Sequence, residues 1–187
     1  MSKGLDYAWG KPGGANIKKA GFDFVCRYVS NTPSKNLTAA EVQDLQANGL
    51  QIVIVWESSA KIALKGAAAG STDADLAIQQ AANLNFPAEN PIYFACDFEL
   101  LHGKAVTAYF DGIAEKMPFA QIGAYGSYAL VKYLFDNGLI SYGWQTSAWS
   151  NKVWDSRIHI KQVSYNYVLK GVNCDVNESV QDDFGQW

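Results

Sequence analysis

Taken as a string of apolar and polar positions, the chain alternates short apolar runs with longer stretches at helical spacing. Runs rich in Val, Ile, Phe and Tyr predict strands at 4–8, 22–28, 51–56, 91–97, 121–125, 140–145, 158–163 and 171–176. Several lack clean alternation, as strands covered on both faces do. Helices are predicted between them at 38–48, 72–85, 104–116 and 127–137. The first of these opens on Thr38 with Glu41 three positions later, the pattern of a capping box, and Gly49 closes it. Thr72 opens an Ala-rich stretch that ends before Pro87, and Gly138 stops the last helix. Alternating strands and helices predict an α/β barrel in one domain spanning 1–187. A full (β/α)8 barrel takes about 250 residues, and the connections 146–157 and 164–170 are too short for helices. The expected fold is therefore a reduced (β/α) TIM-like barrel of eight strands whose last helices are shortened or missing. An open doubly wound sheet is the alternative, but no Gly-rich phosphate motif favours it. The stretch 58–71, "SSAKIALKGAAAGS", reads as a mobile loop on the functional face.

The carboxyl ends of barrel strands form the working face, so the polar residues there matter most. In order they are Asp6; Arg27 and Tyr28; Trp56 and Glu57; Asp97 and Glu99; Tyr125; Trp144 and Gln145; Gln162; and Asp175. Strands one and eight are neighbours in a closed barrel and strand four faces them, so Asp6, Asp97, Glu99 and Asp175 can converge. Asp97 and Glu99 share one face of a strand, about 7 Å apart if extended. Cys96 then points to the helices, and the same offset places Cys26 and Cys174 outward beside Arg27 and Asp175. Bland readings stand beside these: Asp6 as a strand-end cap, Asp175 as a turn residue, Glu57 as a surface-loop acid.

Composition narrows the chemistry. Of 187 residues, 49% are hydrophobic and 18% charged, enough apolar material for a sizeable core. Net charge is −3 with no basic block, which argues against nucleic acid. No apolar run approaches a membrane span, and no apolar signal segment opens the chain. The sequence thus predicts a product made in the cytoplasm without a signal peptide, reaching any outside target by another route. Six Trp and ten Tyr suit the stacking of sugar rings as well as a core. The three cysteines form no CxxC pair and read as free, buried thiols.

Acid pairs with aromatic walls suit glycoside hydrolysis, in which one carboxyl protonates the leaving oxygen and another supports the oxocarbenium-like centre. Four acids could also hold Ca²⁺ or Mg²⁺, though no EF-hand spacing accompanies them. His102 and His159 have no evident partner and read as structural or solvated, and no nucleophile elbow is present. No metal or cofactor is expected.

The blocks "GLDYAW", "FVCRYVS", "VWES", "GAAAGSTDADLAIQQAANLNFP", "PIYFACDFE", "GAYGSYALVKYL", "YGWQTSAWS", "KQVSYN", "GVNCDVNES" and "DDFGQW" resemble, in order and over nearly the whole chain, a glycoside-hydrolase-like domain family once described as of unknown function. That family is similar in turn to glycoside hydrolase family 25, the lysozymes found in phage endolysins. The resemblance implies a reduced barrel and a site built from Asp6, Asp97, Glu99 and Asp175. In it Glu99 would be the general acid, Asp97 would assist the anomeric centre or orient the substrate N-acetyl group, and Asp6 and Asp175 would tune charge and position. Arg27, Tyr28, Glu57, Tyr125, Trp144, Gln145 and Gln162 are the candidate substrate-binding residues. Arg27–Tyr28 on the second strand departs from family 25. The implied activity is an N-acetylmuramidase acting on bacterial peptidoglycan, as a phage endolysin catalytic domain, a monomer with a separate wall-binding domain in a longer protein. A non-catalytic glycan-binding module and a metal-dependent hydrolase are the competing readings.

Overall fold

The computed structural model describes residues 1–100 and 103–187; His102 lies outside the described residues. Eight strands close into a barrel in chain order: Lys3–Asp6 (β1), Phe24–Val29 (β2), Gln51–Trp56 (β3), Ile92–Ala95 (β4), Ile122–Gly126 (β5), Tyr142–Thr146 (β6), Ile160–Leu169 (β7) and Val172–Ser179 (β8). Neighbours from β1 to β7 run parallel, whereas β8 is antiparallel to both β7 and β1. The barrel is the reduced form expected from the sequence, but its closing strand is reversed. The reason lies in the turn. Lys170 and Gly171 both hold positive φ, 53° and 78°, the backbone of a two-residue hairpin loop whose twist matches the strands it joins.

The helices are Gly14–Lys19 (α1), Ala39–Ala47 (α2), Ala67–Asn83 (α3), Thr107–Ala114 (α4) and Tyr128–Asp136 (α5), and none separates β6, β7 and β8. The stretch 58–71 is more ordered than its composition predicted. It holds a 3₁₀ turn at Ile62–Lys65 and the first turn of α3, which begins five residues earlier than Thr72. Gly70 and Gly112 explain why α3 fits there: a Cβ on either would sit within 2.0 Å of a carbonyl oxygen on the facing helix. The capping box at α2 is half made. Thr38 Oγ1 accepts from the Glu41 N–H, while the Glu41 carboxylate turns inward to Arg27.

Period-two alternation divides the barrel wall into two layers. Phe24, Cys26, Val53, Val55, Tyr93, Ala95, Trp144 and Ile160 fill the interior together with Phe184. The outward residues of β3 to β5 pack under α3, α4 and α5, and those of β1 and β2 under α1 and α2. Cys96 and Cys174 belong to the outer layers as expected, but Cys26 faces the interior. The chain end seals the base of the barrel. Trp187 exchanges both backbone hydrogen bonds with Ile52, and Phe184 packs on Phe24 and accepts from Tyr93 Oη at its carbonyl.

Candidate active site

The inward residues at the opposite end line a cleft of about 280 Å³. Its lining includes Asp6, Tyr28, Glu57, Asp97, Tyr125, Trp144, Thr146, Trp149, Gln162, Tyr165 and Asp175 and, among the described residues, no Lys, Arg or His. Most arrive by parity: Asp6 follows Gly4 on β1, Tyr28 follows Cys26 on β2, and Gln162 follows Ile160 on β7. Asp97 stands two residues beyond the end of β4. Asp175 reaches this rim because β8 is reversed, so that its fourth residue pairs directly with Asp6, the last of β1. The sequence placed Asp175 at the departing end of a parallel strand; the antiparallel hairpin brings it to the same face by another path.

Asp6 is the floor of the cleft and almost wholly buried. Its Oδ2 accepts from Gln162 Nε2 and Asn177 Nδ2, each at 2.8 Å. Both amides are oriented from behind: Tyr125 Oη donates to Gln162 Oε1 at 2.9 Å, and Trp144 Nε1 to Asn177 Oδ1 at 2.9 Å. Burial pushes the Asp6 carboxyl up to about 7, against the pull of the two amide donors and with a further push from Asp175. Asp175, half-buried, is also raised, by burial and by the charge of Asp97, while the Asn166 N–H holds it back. Asp97 is solvent-exposed at the mouth, yet partial enclosure of its carboxyl and the charge of Glu57 raise it, with Lys35 opposing. Glu57 pairs with Lys35, whose ammonium lies 4.0 Å from the centre of the Tyr28 ring. The acids thus form an interacting row, Glu57, Asp97, Asp175 and Asp6. The Tyr28 and Tyr125 phenols are pushed well up by burial and by Asp6, and so stay neutral donors.

Three expected residues stand elsewhere. Arg27 is 1% exposed and points away from the cleft, to Glu41 on α2. Gln145 also faces outward, donating to Val153 O at 2.7 Å and accepting from the Asp155 N–H at 3.0 Å. Each is the chain neighbour of a true lining residue, and alternation forbids both to face one way. Glu99 is exposed, two residues beyond Asp97, and is not among the lining residues. Conversely, the site holds residues not named from sequence. Thr146 in the lining and Asn177, buried behind Asp6, were legible by parity from Trp144 and Asp175. Tyr165 was not, because register shifts flank it between Gln162 and Tyr167. Among the described residues, no group of three or more His, Cys, Asp or Glu is placed to hold a metal ion.

Comparison with known proteins bears on this geometry. Residues 15–179 match the family described as "Rv2525c-like, glycoside hydrolase-like domain". The chain belongs to this family. Within it, the Mycobacterium tuberculosis protein named "Putative peptidoglycan hydrolase Rv2525c" is 30% identical over 98% of this chain and 82% of its own length. The crystal structure of that Tat-secreted protein in complex with L-tartrate superposes with a TM-score of 0.94 at 28% identity, covering 100% of this chain and 99% of the other. A muramidase from Trichobolus zukalii shares the fold, at TM-score 0.65 and 13% identity over 97% of this chain and 95% of its own. The glycoside-hydrolase-like assignment from sequence therefore holds. The expectation of a product made in the cytoplasm without a signal peptide does not: the M. tuberculosis family member is a Tat-secreted protein.

Proposed function

We propose that this glycoside-hydrolase-like barrel cleaves glycosidic bonds of bacterial peptidoglycan, in the manner of an N-acetylmuramidase. The observation that carries the proposal is the row of interacting carboxyls, three of them raised, along one aromatic-walled cleft at the barrel mouth. Glycoside hydrolysis needs a carboxyl that holds a proton near neutral pH and a second that stays charged close to the anomeric carbon. In this reading Asp97 works at the anomeric centre from the cleft wall. Glu99, exposed two residues beyond Asp97, protonates the leaving oxygen. Asp6 and Asp175 set the charge of the floor, and Tyr28 and Tyr125 donate to sugar hydroxyls. The relative named as a peptidoglycan hydrolase supports the choice of substrate, and its secretion fits a target outside the cell. An origin in a phage lysin is no part of the proposal.

The test is digestion of purified cell walls, following turbidity and new reducing ends. Wild type should release reducing ends, and Asp97→Asn and Glu99→Gln should each lower the rate by roughly 10²–10⁴-fold. The rate profile should carry an ionisation above the usual aspartate range that Asp97→Asn removes. One observation favours a second reading, a glycan-binding module: Glu99 stands outside the cleft lining. Wall binding without reducing ends would establish that reading and end the hydrolase one. Free amines without reducing ends would identify an amidase or peptidase.

A further inference from the structure

The connection from β6 to β7, residues 147–159, carries a feature that the acid row does not use. Trp149 sits there with its φ at 54°, in the left-handed region that bulky side chains avoid. Asn151 and Lys152 beside it are also left-handed, at 49° and 62°. Relaxed loops do not accumulate such residues; something must hold them.

The restraints are visible. Ser150 Oγ donates to Thr146 O at 2.6 Å and accepts from the Tyr128 N–H at 2.8 Å. The Ala148 N–H donates to Tyr165 Oη at 2.7 Å, and that hydroxyl also lies 2.6 Å from Ser147 Oγ. Gln145 pins the far side through Val153 O and the Asp155 N–H. Hydrogen bonds from three neighbouring segments therefore fix the two residues flanking Trp149. Yet the indole they fix is not buried: Trp149 is 43% exposed and lines the cleft beside Tyr165, Trp144 and Tyr125. A tryptophan placed for packing would give up its largest gain by remaining in water. Strain, dense pinning and exposure together describe a side chain held out for a ligand.

We infer that Trp149 is a sugar-stacking platform, receiving the apolar face of a neutral pyranose at the mouth of the cleft, next to the unit held over the acids. Among the described residues the lining is made of acids and aromatics, and the Lys35 ammonium beside it is already paired with Glu57, so the cleft offers mainly acceptors for the hydroxyls of a neutral sugar. The inference rests on the glycan reading of the cleft and not on cleavage.

The probe is the soluble hexamer of N-acetylglucosamine, titrated by tryptophan fluorescence and calorimetry. Wild type should bind with a blue-shifted emission, and Trp149→Ala should bind about tenfold more weakly. Trp149→Phe should fall between them. Trp9→Ala, which removes a 60% exposed indole outside the cleft lining, should bind as wild type. Trp149→Gly should lose binding while its Tm holds or rises, because glycine occupies this φ without strain. A lower Tm in Trp149→Gly would make the residue a structural one and overturn the inference. So would wild-type affinity in Trp149→Ala, or no binding of the hexamer by wild type. Binding that depends on Trp149, with no reducing ends from walls, leaves the platform standing and removes the hydrolase. Equal release of reducing ends by wild type and Trp149→Ala does the reverse.

Discussion

The two faces of the barrel wall handle buried charge in opposite ways. On the outer face, Arg27 donates from Nε and Nη2 to the two Glu41 oxygens at 2.7 and 3.2 Å, and from Nη1 to Tyr7 O. Tyr7 Oη and Lys11 Nζ complete the carboxylate at 3.0 and 3.1 Å, and the guanidinium lies 4.3 Å from the Tyr7 ring centre. Burial alone would push Glu41 up; Arg27 and Lys11 hold it below the usual carboxylate range. On the inner face, a few ångströms through the same strands, Asp6 has amide donors and acid neighbours but no contacting cation, and it rises to about 7. One side of the wall neutralises its charges and so contributes to holding α2 on the barrel. The other leaves like charges facing a cleft, which is the arrangement that keeps protons available for chemistry.

The comparison breaks most violently at Arg27. Arg27→Met should leave the buried Tyr7 carbonyl without its donor and Glu41 with only Lys11 and Tyr7 Oη, a loss of up to about 3–5 kcal/mol, read as a lower urea midpoint at pH 7. Arg27→Met combined with Glu41→Leu should recover much of that loss, because it removes both charges. Glu41 is depressed, so its contribution is present above the usual glutamate range and lost as pH falls through its folded value. The single variant should therefore differ least from wild type in acid. Any Arg27→Met protein that remains folded should keep the wild-type affinity for wall glycan, since its side chain does not reach the cleft.

This division was only half legible in the sequence. The strand count, the barrel and the end that carries the acids followed from apolar runs and connection lengths, because those depend on local pattern alone. Parity was equally available, yet Arg27 with Tyr28 and Gln145 with Trp144 were each placed on one face. Alternation allows only one of each pair inside, and deciding which requires a strand anchored by a known inward residue, such as Phe24 or Tyr142. The reversal of β8 was hidden in Lys170–Gly171, a pair whose positive φ values are a property of the turn and not of composition. Tyr165 and Trp149 were beyond reach, the first because register shifts break the period of two, the second because its place depends on hydrogen bonds from distant segments.

Asp6 sharpens the inner half of the comparison. A carboxyl moved from 3.8 to about 7 resists ionisation by about 4 kcal/mol at about 1.36 kcal/mol per tenfold change. Its folded value is raised, so the native state keeps the proton that the unfolded chain releases. Native stability therefore falls as pH climbs from about 4 to about 7, and the penalty is complete above that window. Asp6→Asn retains an oxygen for Gln162 and Asn177 but cannot ionise. It should be more stable than wild type at pH 8 by up to about 4 kcal/mol, with the gap closing toward pH 4, while wall hydrolysis is lost. A gap that does not change with pH would mean that Asp6 is not held protonated by its surroundings.

The smallest effect comes from Gln145, which tests whether alternation or proximity decides a residue's role. It adjoins Trp144 in sequence, is wholly buried, and ties the β6–β7 connection through Val153 O and the Asp155 N–H. Gln145→Leu preserves shape but leaves those two backbone groups without partners, a loss of about 1–3 kcal/mol in urea denaturation. The pH profile of any hydrolysis should be unchanged, because no acid in the cleft touches Gln145. The affinity for glycan should drop only as far as the loosened connection releases Trp149, and adding Trp149→Ala should then weaken binding no further than Trp149→Ala does alone. A Gln145→Leu protein of unaltered stability whose pH profile shifts would place the amide among the acids, and would show that the outer face of this wall is not sealed from the inner one.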